Sequence, residues 1–410
     1  MLDDFQKSAK RNGVIAAAKA KSARVILVLF GTRPEVVKLA PVIIELKKNP
    51  NFRTIVASSG QHTDLLAPFL KIFKIKVDYD LGVMTVNQTP NTVGAKVLEK
   101  LDVILTAEKP DLILVQGDTT TAFAGAFAAF NRKIKIGHVE AGLRSNDLQS
   151  PFPEEANRRL ISQLATFHFC ATKGNKQNLL AENIGEKHIF VCGNTVVDAL
   201  QYTLKNEQPS ANIEKLIDET RGLKRILLTT HRRESFGETM SANLEILRDF
   251  VSGNKDVCVV FPVHPNPNVR NVTGKILANR ERIFLLEPLG YADFAALMKS
   301  AWLIVSDSGG VQEEAPSLGK PLLILRENTE RPEAIETGIA QLVGDNLKEL
   351  LELNYADESW INSVETIANP FGDGSAAKQI VETLHRKLLA KPEKTLATNY
   401  TNSTNKAKSI

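Results

Sequence analysis

The chain alternates short runs of apolar, β-branched residues with longer segments in which apolar residues recur every three or four positions. RVILVLF precedes PEVVKLAPVIIELKK, and DLILVQG precedes the alanine-rich TTTAFAGAFAAF. Such runs are typical of strands buried on both faces, and the segments between them are typical of amphipathic helices. Repeated strand–helix alternation predicts parallel, doubly wound sheets, so we expect an α/β protein.

A polar stretch divides this alternation into two series, because the first ends with HIFVCG and the second begins at RILLTT. We therefore predict a first domain over residues 24–192, a linker region over 193–222 and a second domain over 223–370. The periodic segment 375–389 carries Ile380, Leu384 and Leu388 on one face. It is predicted to be a helix that closes the first domain.

The basic charge of the chain comes from its two ends. The net charge is +4, but residues 1–23 carry five Lys or Arg against two acids, and residues 391–410 carry four against one. The body is therefore slightly acidic, which disfavours nucleic acid as a partner. We interpret residues 1–23 as an extension outside the core and residues 391–410 as a disordered tail.

Cysteine usage and hydropathy bear on the compartment. Cys170, Cys192 and Cys258 each lie in an apolar run, as buried thiols do in a reducing compartment. No run reaches the ~18 apolar residues of a membrane span. The apolar core of the N-terminal stretch is too short for a signal peptide. We expect a cytoplasmic protein without membrane insertion.

Three acids stand on turns of the first domain. Asp118 and Glu140 follow predicted strands, and Glu154 opens a predicted helix. Ligands of open α/β sheets bind at the carboxyl ends of the strands, so these acids are candidates for removing and delivering protons. Any one of them, taken alone, is more typical of a helix cap or of a partner for a nearby arginine, whereas three of them at successive crossovers favour a catalytic role.

Two turns have the composition of anion sites. Arg33 and Lys38 lie at the start of the helix that follows the first strand, within GTRPEVVK. In the second domain, SDSGGVQEE offers the hydroxyl of Ser308 and the backbone of Gly309 and Gly310 to a diphosphate. Glu314, one turn further on, has the chemistry to accept hydrogen bonds from a ribose diol.

Other polar groups extend this picture. His231 follows a predicted strand and is a candidate to assist a leaving phosphate, and Arg331 in RENTERPEA is a candidate phosphate clamp. The sequence contains neither HExxH nor CxxC, neither GxGxxG after the first strand nor GxxxxGK[ST]. We therefore expect no catalytic metal and no bound cofactor.

The motifs occur in an order that resembles one family. GTRPE, GQH, GDTTT, GHVEAGLR, PFPEEANRR, GNTVVDAL, THRRE, HPNP, DSGGVQEEAPSLGKP and RENTERPEA are similar to those of the non-hydrolysing UDP-N-acetylglucosamine 2-epimerases. The resemblance extends from about Arg24 to Leu389. It implies two Rossmann-like domains of the GT-B type, with the active site in the cleft between them.

The resemblance also implies a reaction. UDP-GlcNAc and UDP-ManNAc would be interconverted by anti elimination of UDP to a 2-acetamidoglucal and by its re-addition, and the product would supply surface polysaccharide synthesis. The residues that match catalytic positions are Asp118, Glu140, Glu154 and His231. Those that match substrate and UDP contacts are Arg33, Lys38, Phe294, Ser308, Gly309, Gly310, Glu314 and Arg331.

Two further expectations come from the resemblance. Gln61 and His62 match a pair that takes part in substrate activation in some bacterial members, whereas Asp64 and Asn87 depart from the residues common there. Members of the family are usually homodimers, so a homodimer that binds a UDP-sugar is expected.

Three other functions remain compatible with the residues. One is 2-epimerisation of a related UDP-diacetamido sugar, which Glu35 and the long segment SNDLQSPFPEE disfavour. A second is a GT-B glycosyltransferase, which has no need of the clustered acids. A third is a catalytically silent nucleotide-sugar sensor, in which at least one acid would be lost.

Overall fold

The computed structural model describes residues 23–60, 63–85, 88–231 and 237–390. The first sheet has seven parallel strands in the order β3-β2-β1-β4-β5-β6-β7. They are β1 (Arg24–Phe30), β2 (Phe52–Ser58), β3 (Tyr79–Asp80), β4 (Leu112–Gln116), β5 (Lys135–Val139), β6 (Phe167–Cys170) and β7 (Ile189–Val191).

The second sheet repeats this topology with six parallel strands in the order β10-β9-β8-β11-β12-β13. They are β8 (Lys224–Thr229), β9 (Val257–Pro262), β10 (Ile283–Leu286), β11 (Leu303–Ser306), β12 (Leu322–Ile324) and β13 (Ala340–Leu342). In both sheets the chain starts in the middle, adds strands to one side and then to the other, as in Rossmann domains. The predicted fold class is confirmed.

Helices cover both faces of each sheet, so residues of both faces of the central strands are buried. Those that follow the strands of the first sheet are α1 (Arg33–Lys48), α2 (Thr63–Ile72), α3 (Pro90–Glu108), α4 (Thr120–Asn131), α5 (Glu154–Leu164) and α6 (Lys173–Ala181). Those of the second are α9 (Glu238–Gly253), α10 (Pro267–Leu277), α11 (Tyr291–Ser300), α12 (Gly309–Glu314), α13 (Pro332–Glu336), α14 (Leu347–Ala356) and α15 (Ser359–Val364).

The segment between the two sheets is itself helical. Residues 193–222 contain α7 (Thr195–Asn206) and α8 (Ala211–Glu219), and α7 packs against α1. The last helix, α16 (Ala376–Leu389), also returns to α1. Ile380, Leu384 and Leu388 are buried there, as amphipathic spacing requires. None of the helices in the described ranges is both long and apolar enough to cross a membrane.

The carboxyl ends of the two sheets face each other across a cleft. Side chains join the domains there: Thr172 Oγ1 donates to Glu333 Oε1 at 2.5 Å, and the rings of Phe69 and Tyr291 lie 5.7 Å apart. A crevice of about 940 Å³ lies beside this junction, and none of the predicted site residues lines it. The cleft therefore brings loops of both Rossmann domains into one site.

Candidate active site

Asp118 lies two residues beyond β4, and two side chains of α5 hold it in place. Its carboxylate accepts a hydrogen bond from Arg158 Nη2 at 2.6 Å, and its carbonyl accepts one from Asn157 Nδ2 at 2.9 Å. Burial raises the pKa of Asp118, the charge of Arg158 opposes this, and the charge of Glu154 raises the pKa further. Glu154 is thus close enough for its charge to disfavour ionisation of Asp118.

Glu154 is the first residue of α5 and is half-buried. Among the described residues, its side chain makes no hydrogen bond and no ion pair. The neighbouring Glu155 is fully buried, and it accepts hydrogen bonds from Arg159 Nε at 2.8 Å and from the backbone of Ser145 at 3.0 Å. Of these two adjacent acids, therefore, Glu155 holds the structure together, and Glu154 is available to a ligand.

Glu140 follows β5 in the left-handed backbone region, with φ of 64°. Few residues other than glycine adopt this conformation, and where they do it often serves to aim a side chain in a functional site. Its Oε1 accepts from Lys38 Nζ, and its Oε2 accepts from Gln116 Nε2. Burial raises the pKa of Glu140, and Lys38 opposes that rise.

Lys38 connects the two domains. Besides its contact with Glu140, its ammonium lies 3.1 Å from Oε2 of Glu313 on α12. Burial disfavours the charged ammonium, but the two carboxylates outweigh it and raise the pKa of Lys38. The other oxygen of Glu313 accepts from Arg331 Nε at 2.7 Å, and Arg331 Nη1 lies 3.3 Å from Glu330. A chain of buried, alternating charges therefore crosses the cleft.

The turn around Gly309 supplies the second-domain side of the site. Ser308 is the residue before α12, and its backbone N–H donates to Ser306 Oγ at 3.0 Å. The guanidinium of Arg331 lies so close to Gly309 that a Cβ there would be 2.8 Å from Nη1. Gly310 is open, with Ser308 Oγ 3.9 Å from the same hypothetical atom. Backbone N–H groups and a guanidinium thus adjoin, which suits a phosphate.

Glu314 and two aromatic residues of α11 complete this side. Tyr291 donates its hydroxyl to Glu314 Oε1 at 2.7 Å, and Phe294 lies half-buried one turn further along α11. Burial raises the pKa of Glu314 to about 7, and Lys38 and Arg33 act against that rise. Arg33 itself is the exposed first residue of α1. Its charge therefore reaches the second domain across the cleft.

His231 is half exposed at the end of β8 and is anchored by a fully buried acid. Its Nδ1 lies 3.3 Å from Asp307 Oδ1, and its backbone N–H donates to Oδ2 at 2.8 Å. The ring stacks on His264 at a centroid distance of 5.3 Å. Burial is the largest cause that lowers the pKa of His264, and the neighbouring His231 is the next. Asp307 therefore fixes the orientation of a histidine at the mouth of the cleft.

Glu35 ties together the loops that carry Arg33 and Asp118. Its Oε2 accepts from the backbone N–H groups of Gly31 at 3.0 Å and Thr32 at 2.7 Å, and its Oε1 accepts from Thr119 Oγ1 at 2.9 Å. The side chain is fully buried, and burial raises its pKa to about 7 despite these hydrogen bonds.

The raised pKa of Glu35 predicts a pH-dependent stability difference. The folded state binds a proton more tightly than the unfolded chain, so stability from this group is present at low pH and is lost as pH rises from about 4.5 to 7. Relative to wild type, Glu35→Gln should therefore gain about 2.5 kcal/mol in free energy of unfolding between pH 5 and pH 8. Urea unfolding of both proteins at both pH values measures this difference. Glu314 titrates in the variant and in wild type alike, so its contribution cancels in the comparison. A difference that is independent of pH would contradict the prediction.

The structure adds residues to the site that the sequence did not single out. Gln116 and Arg158 hold candidate acids, Asp307 holds His231, and Glu313 joins Lys38 to Arg331. Gln61 and His62 lie outside the described residues. Within the described ranges, no group of three or more His, Cys, Asp or Glu side chains is arranged to hold a metal ion.

Comparisons with known proteins match this chain over nearly its whole body. The sequence profile of the family described as UDP-N-acetylglucosamine 2-epimerase matches residues 44–385. The UDP-N-acetylglucosamine 2-epimerase of Escherichia coli K12 is 44% identical over 369 residues, covering 88% of this chain and 98% of that protein. The enzyme of that name from Bacillus subtilis is 44% identical over 362 residues, which cover 88% of this chain and 94% of the relative.

The fold agrees with the sequence. The crystal structure of UDP-GlcNAc 2-epimerase from Neisseria meningitidis bound to UDP-GlcNAc superposes with a TM-score of 0.81 and 43% identity, over 88% of this chain and 100% of that one. Identity, coverage and the shared two-domain architecture all point the same way. This chain belongs to the family of UDP-N-acetylglucosamine 2-epimerases, which are isomerases.

Proposed function

We propose that this protein interconverts UDP-GlcNAc and UDP-ManNAc by elimination and re-addition of UDP. The observation that carries the proposal is the Lys38 ammonium, which lies between Glu140 of the first domain and Glu313 of the second. It places a carboxylate suited to proton transfer beside a turn suited to a diphosphate. A reaction that breaks a C–H bond and a sugar–phosphate bond together needs both in one cleft.

The proposed chemistry begins with removal of the C2 proton by a carboxylate. The electron pair of that C–H bond becomes the C1–C2 double bond, the C1–O bond breaks, and UDP leaves with its electron pair by anti elimination. The 2-acetamidoglucal stays bound. A proton is then delivered to the opposite face of C2, and the phosphate oxygen attacks C1. The cycle is redox-neutral, so no hydride carrier enters its balance, and we propose that it needs no cofactor.

We assign the acid and base roles to Asp118, Glu140 and Glu154. Asp118 follows β4, Glu140 follows β5 and Glu154 opens α5, and these separate positions suit attack from two faces of one sugar carbon. Burial raises the pKa values of Asp118 and Glu140, which keeps each nearer to the operating pH and makes it fit to both take and give a proton. His231, oriented by Asp307, is assigned to the departing diphosphate.

We assign the second domain to nucleotide binding. Arg331 and the turn formed by Ser308, Gly309 and Gly310 are proposed to hold the diphosphate, together with Arg33 and Lys38 from the first domain. Glu314 is proposed to accept the ribose hydroxyls, and Phe294 to contact the nucleotide. Gln61 and His62 are proposed to take part in any second substrate site.

Deuterium exchange tests the function directly. The protein is incubated with UDP-GlcNAc in D2O containing EDTA and no nicotinamide cofactor, and C2 is followed by NMR. We expect deuterium at C2 of both epimers. A glycosyltransferase or a silent sensor would leave the C2 proton in place, and exchange only of a UDP-diacetamido sugar would reassign the substrate.

We also propose a cytoplasmic homodimer whose product enters surface polysaccharide synthesis. The three cysteines are unpaired and buried, which suits a reducing compartment. Large apolar side chains are exposed on the adjacent helices α4 and α5, where Phe127 is 39%, Phe130 is 53% and Leu160 is 49% exposed. We propose that a second copy of the chain covers them, because exposed apolar clusters of this kind mark interfaces.

Replacing Phe130 should weaken this dimer. Phe130→Asp places a charge where the proposed partner packs, so the main species in sedimentation velocity is expected to shift from dimer to monomer. Leu353→Asp is the matched control, since Leu353 is 60% exposed but lies on α14, which belongs to the second sheet. Equal sedimentation of Phe130→Asp and wild type would place the interface elsewhere.

A further inference from the structure

Glu313 lies between two cations that come from opposite sides of the cleft. Its side chain is 3% exposed. Oε2 lies 3.1 Å from Lys38 Nζ, and Oε1 accepts from Arg331 Nε at 2.7 Å. Because water hardly reaches this carboxylate, its charge is balanced by these two side chains.

Lys38 is shared between two carboxylates. Its ammonium donates to Glu140 as well as facing Glu313, and an ammonium has enough donors to serve both. Gln116 holds the other oxygen of Glu140, so that carboxylate is fixed at both oxygens. Glu140 and Glu313 therefore compete for one positive charge. How much of that charge Glu140 receives depends on where the second domain places Glu313.

Arg331 connects the same acid to the proposed diphosphate turn. Its guanidinium packs on Gly309 at the start of α12 and bonds Glu313 through Nε. A phosphate held at this turn would meet the guanidinium that holds Glu313. Glu313 is thus the one acid of the described cleft that contacts both the proposed phosphate clamp and, through Lys38, the proposed proton-transfer group.

We propose that Glu313 is a positioning residue that anchors Lys38 across the cleft and so limits the positive charge that Lys38 brings to Glu140, the carboxylate proposed to take the C2 proton. The inference rests on the proposed epimerase function and deepens it. With Glu313 present, the charge of Lys38 is divided between two carboxylates. Without it, that charge falls wholly on Glu140, which favours the ionised form and makes it a weaker base.

The charged groups around Glu140 give the sign of the effect. They are Lys38 from α1, Glu313 from α12 and Arg331 from the loop before α13. Burial raises the pKa of Glu140, Lys38 lowers it, Glu313 raises it and Arg331 lowers it. Removing the charge of Glu313 therefore lowers the pKa of Glu140. It also leaves an extra positive charge in the cleft, which favours an anionic ligand.

The test compares Glu313→Gln with Glu330→Gln. Both remove a carboxylate from Arg331, but Glu330 bonds Arg331 and Arg326 and makes no contact with Lys38. We expect Glu313→Gln to lower kcat for deuterium exchange by about 10- to 100-fold. The acid limb of its pH profile should move to lower pH, because removing the charge of Glu313 lowers the pKa of Glu140. Its affinity for UDP, measured by calorimetry, should be no weaker than wild type. Whatever Glu330→Gln does to the rate through Arg331, its acid limb should stay at the wild-type pH, because Glu330 does not contact Lys38.

The outcomes distinguish the role of Glu313 from the proposed epimerase function. Suppose that wild type exchanges deuterium while the acid limb of the pH profile is the same for Glu313→Gln as for wild type or for Glu330→Gln. In that case the role of Glu313 is overturned, and the proposed function stands. A wild type without exchange overturns both. Should Glu313→Gln not fold, Glu313→Asp, whose shorter side chain keeps the charge but withdraws it from Lys38, should still lower kcat. A rate equal to that of Glu330→Gln would then sink the inference.

Discussion

Glu140→Gln is expected to lower kcat for deuterium exchange by ~10²- to 10⁴-fold, the usual loss when one acid or base group is removed. Glutamine fills the same space and still offers an oxygen to Lys38, but its amide cannot take up or release the proton that the reaction transfers. Lys38 keeps Glu313 as an ionic partner at 3.1 Å, so the buried ammonium is not left uncompensated. The fold and the affinity for UDP should therefore survive, and NMR exchange with calorimetry measures both.

A matched control is available in the same domain. Glu108 is also a buried carboxylate, 7% exposed and bonded to Arg53 and Tyr79, but it ends α3 away from the cleft. Glu108→Gln should lower the melting temperature and leave kcat unchanged. Asp118→Asn and Glu154→Gln should resemble Glu140→Gln. Turnover of Glu140→Gln at the wild-type rate would refute the assignment of that acid.

Gly309→Ala is expected to weaken UDP binding by about 10- to 100-fold. A Cβ at this position would lie 2.8 Å from Nη1 and 2.9 Å from Cζ of Arg331, closer than carbon and nitrogen can approach. The guanidinium is held by Glu313 and Glu330, so it must leave its place and its proposed phosphate contact. A charged hydrogen bond of this kind contributes about 1.5–3 kcal/mol. Its loss corresponds to the expected rise in Kd of about 10- to 100-fold.

The adjacent glycine provides the comparison. Gly310→Ala adds the same methyl group to the same short helix, but its nearest neighbour would be Ser308 Oγ at 3.9 Å, an ordinary contact. We expect its Kd for UDP to stay within about threefold of wild type. Equal losses in both variants would mean that α12 as a whole, rather than Arg331, suffers from the substitution.

Most of the fold could be predicted because most of its strands lie in uninterrupted apolar runs. The exceptions are the edge strands β3 and β13. Asp80 interrupts the first and Gln341 the second, so neither stands out as an apolar run. The segment 193–222 has a polar composition typical of a linker, yet α7 within it is amphipathic and packs on α1. Tertiary packing rather than local composition explains that helix.

The candidate site was only partly predictable, for reasons of geometry. Glu313 and Glu314 are adjacent in sequence, but successive residues of a helix point about 100° apart. Glu314 therefore meets Tyr291, while Glu313 meets Lys38 and Arg331. The left-handed backbone of Glu140 has no sequence signature either, since glutamate rarely adopts it. The contact between Lys38 and Glu140 joins residues 102 positions apart, a distance that no local sequence pattern encodes.

The return of α16 to α1 makes the first domain discontinuous along the chain. On the ribosome, the strands and helices up to Val191 emerge first, whereas the helix that covers α1 is translated after the entire second sheet. At about 5–20 residues per second, the nascent first domain carries an uncovered apolar face for roughly 10 to 40 s. The second sheet is contiguous and needs no such wait. The unfinished enzyme is therefore most exposed to aggregation while its own second half is being made.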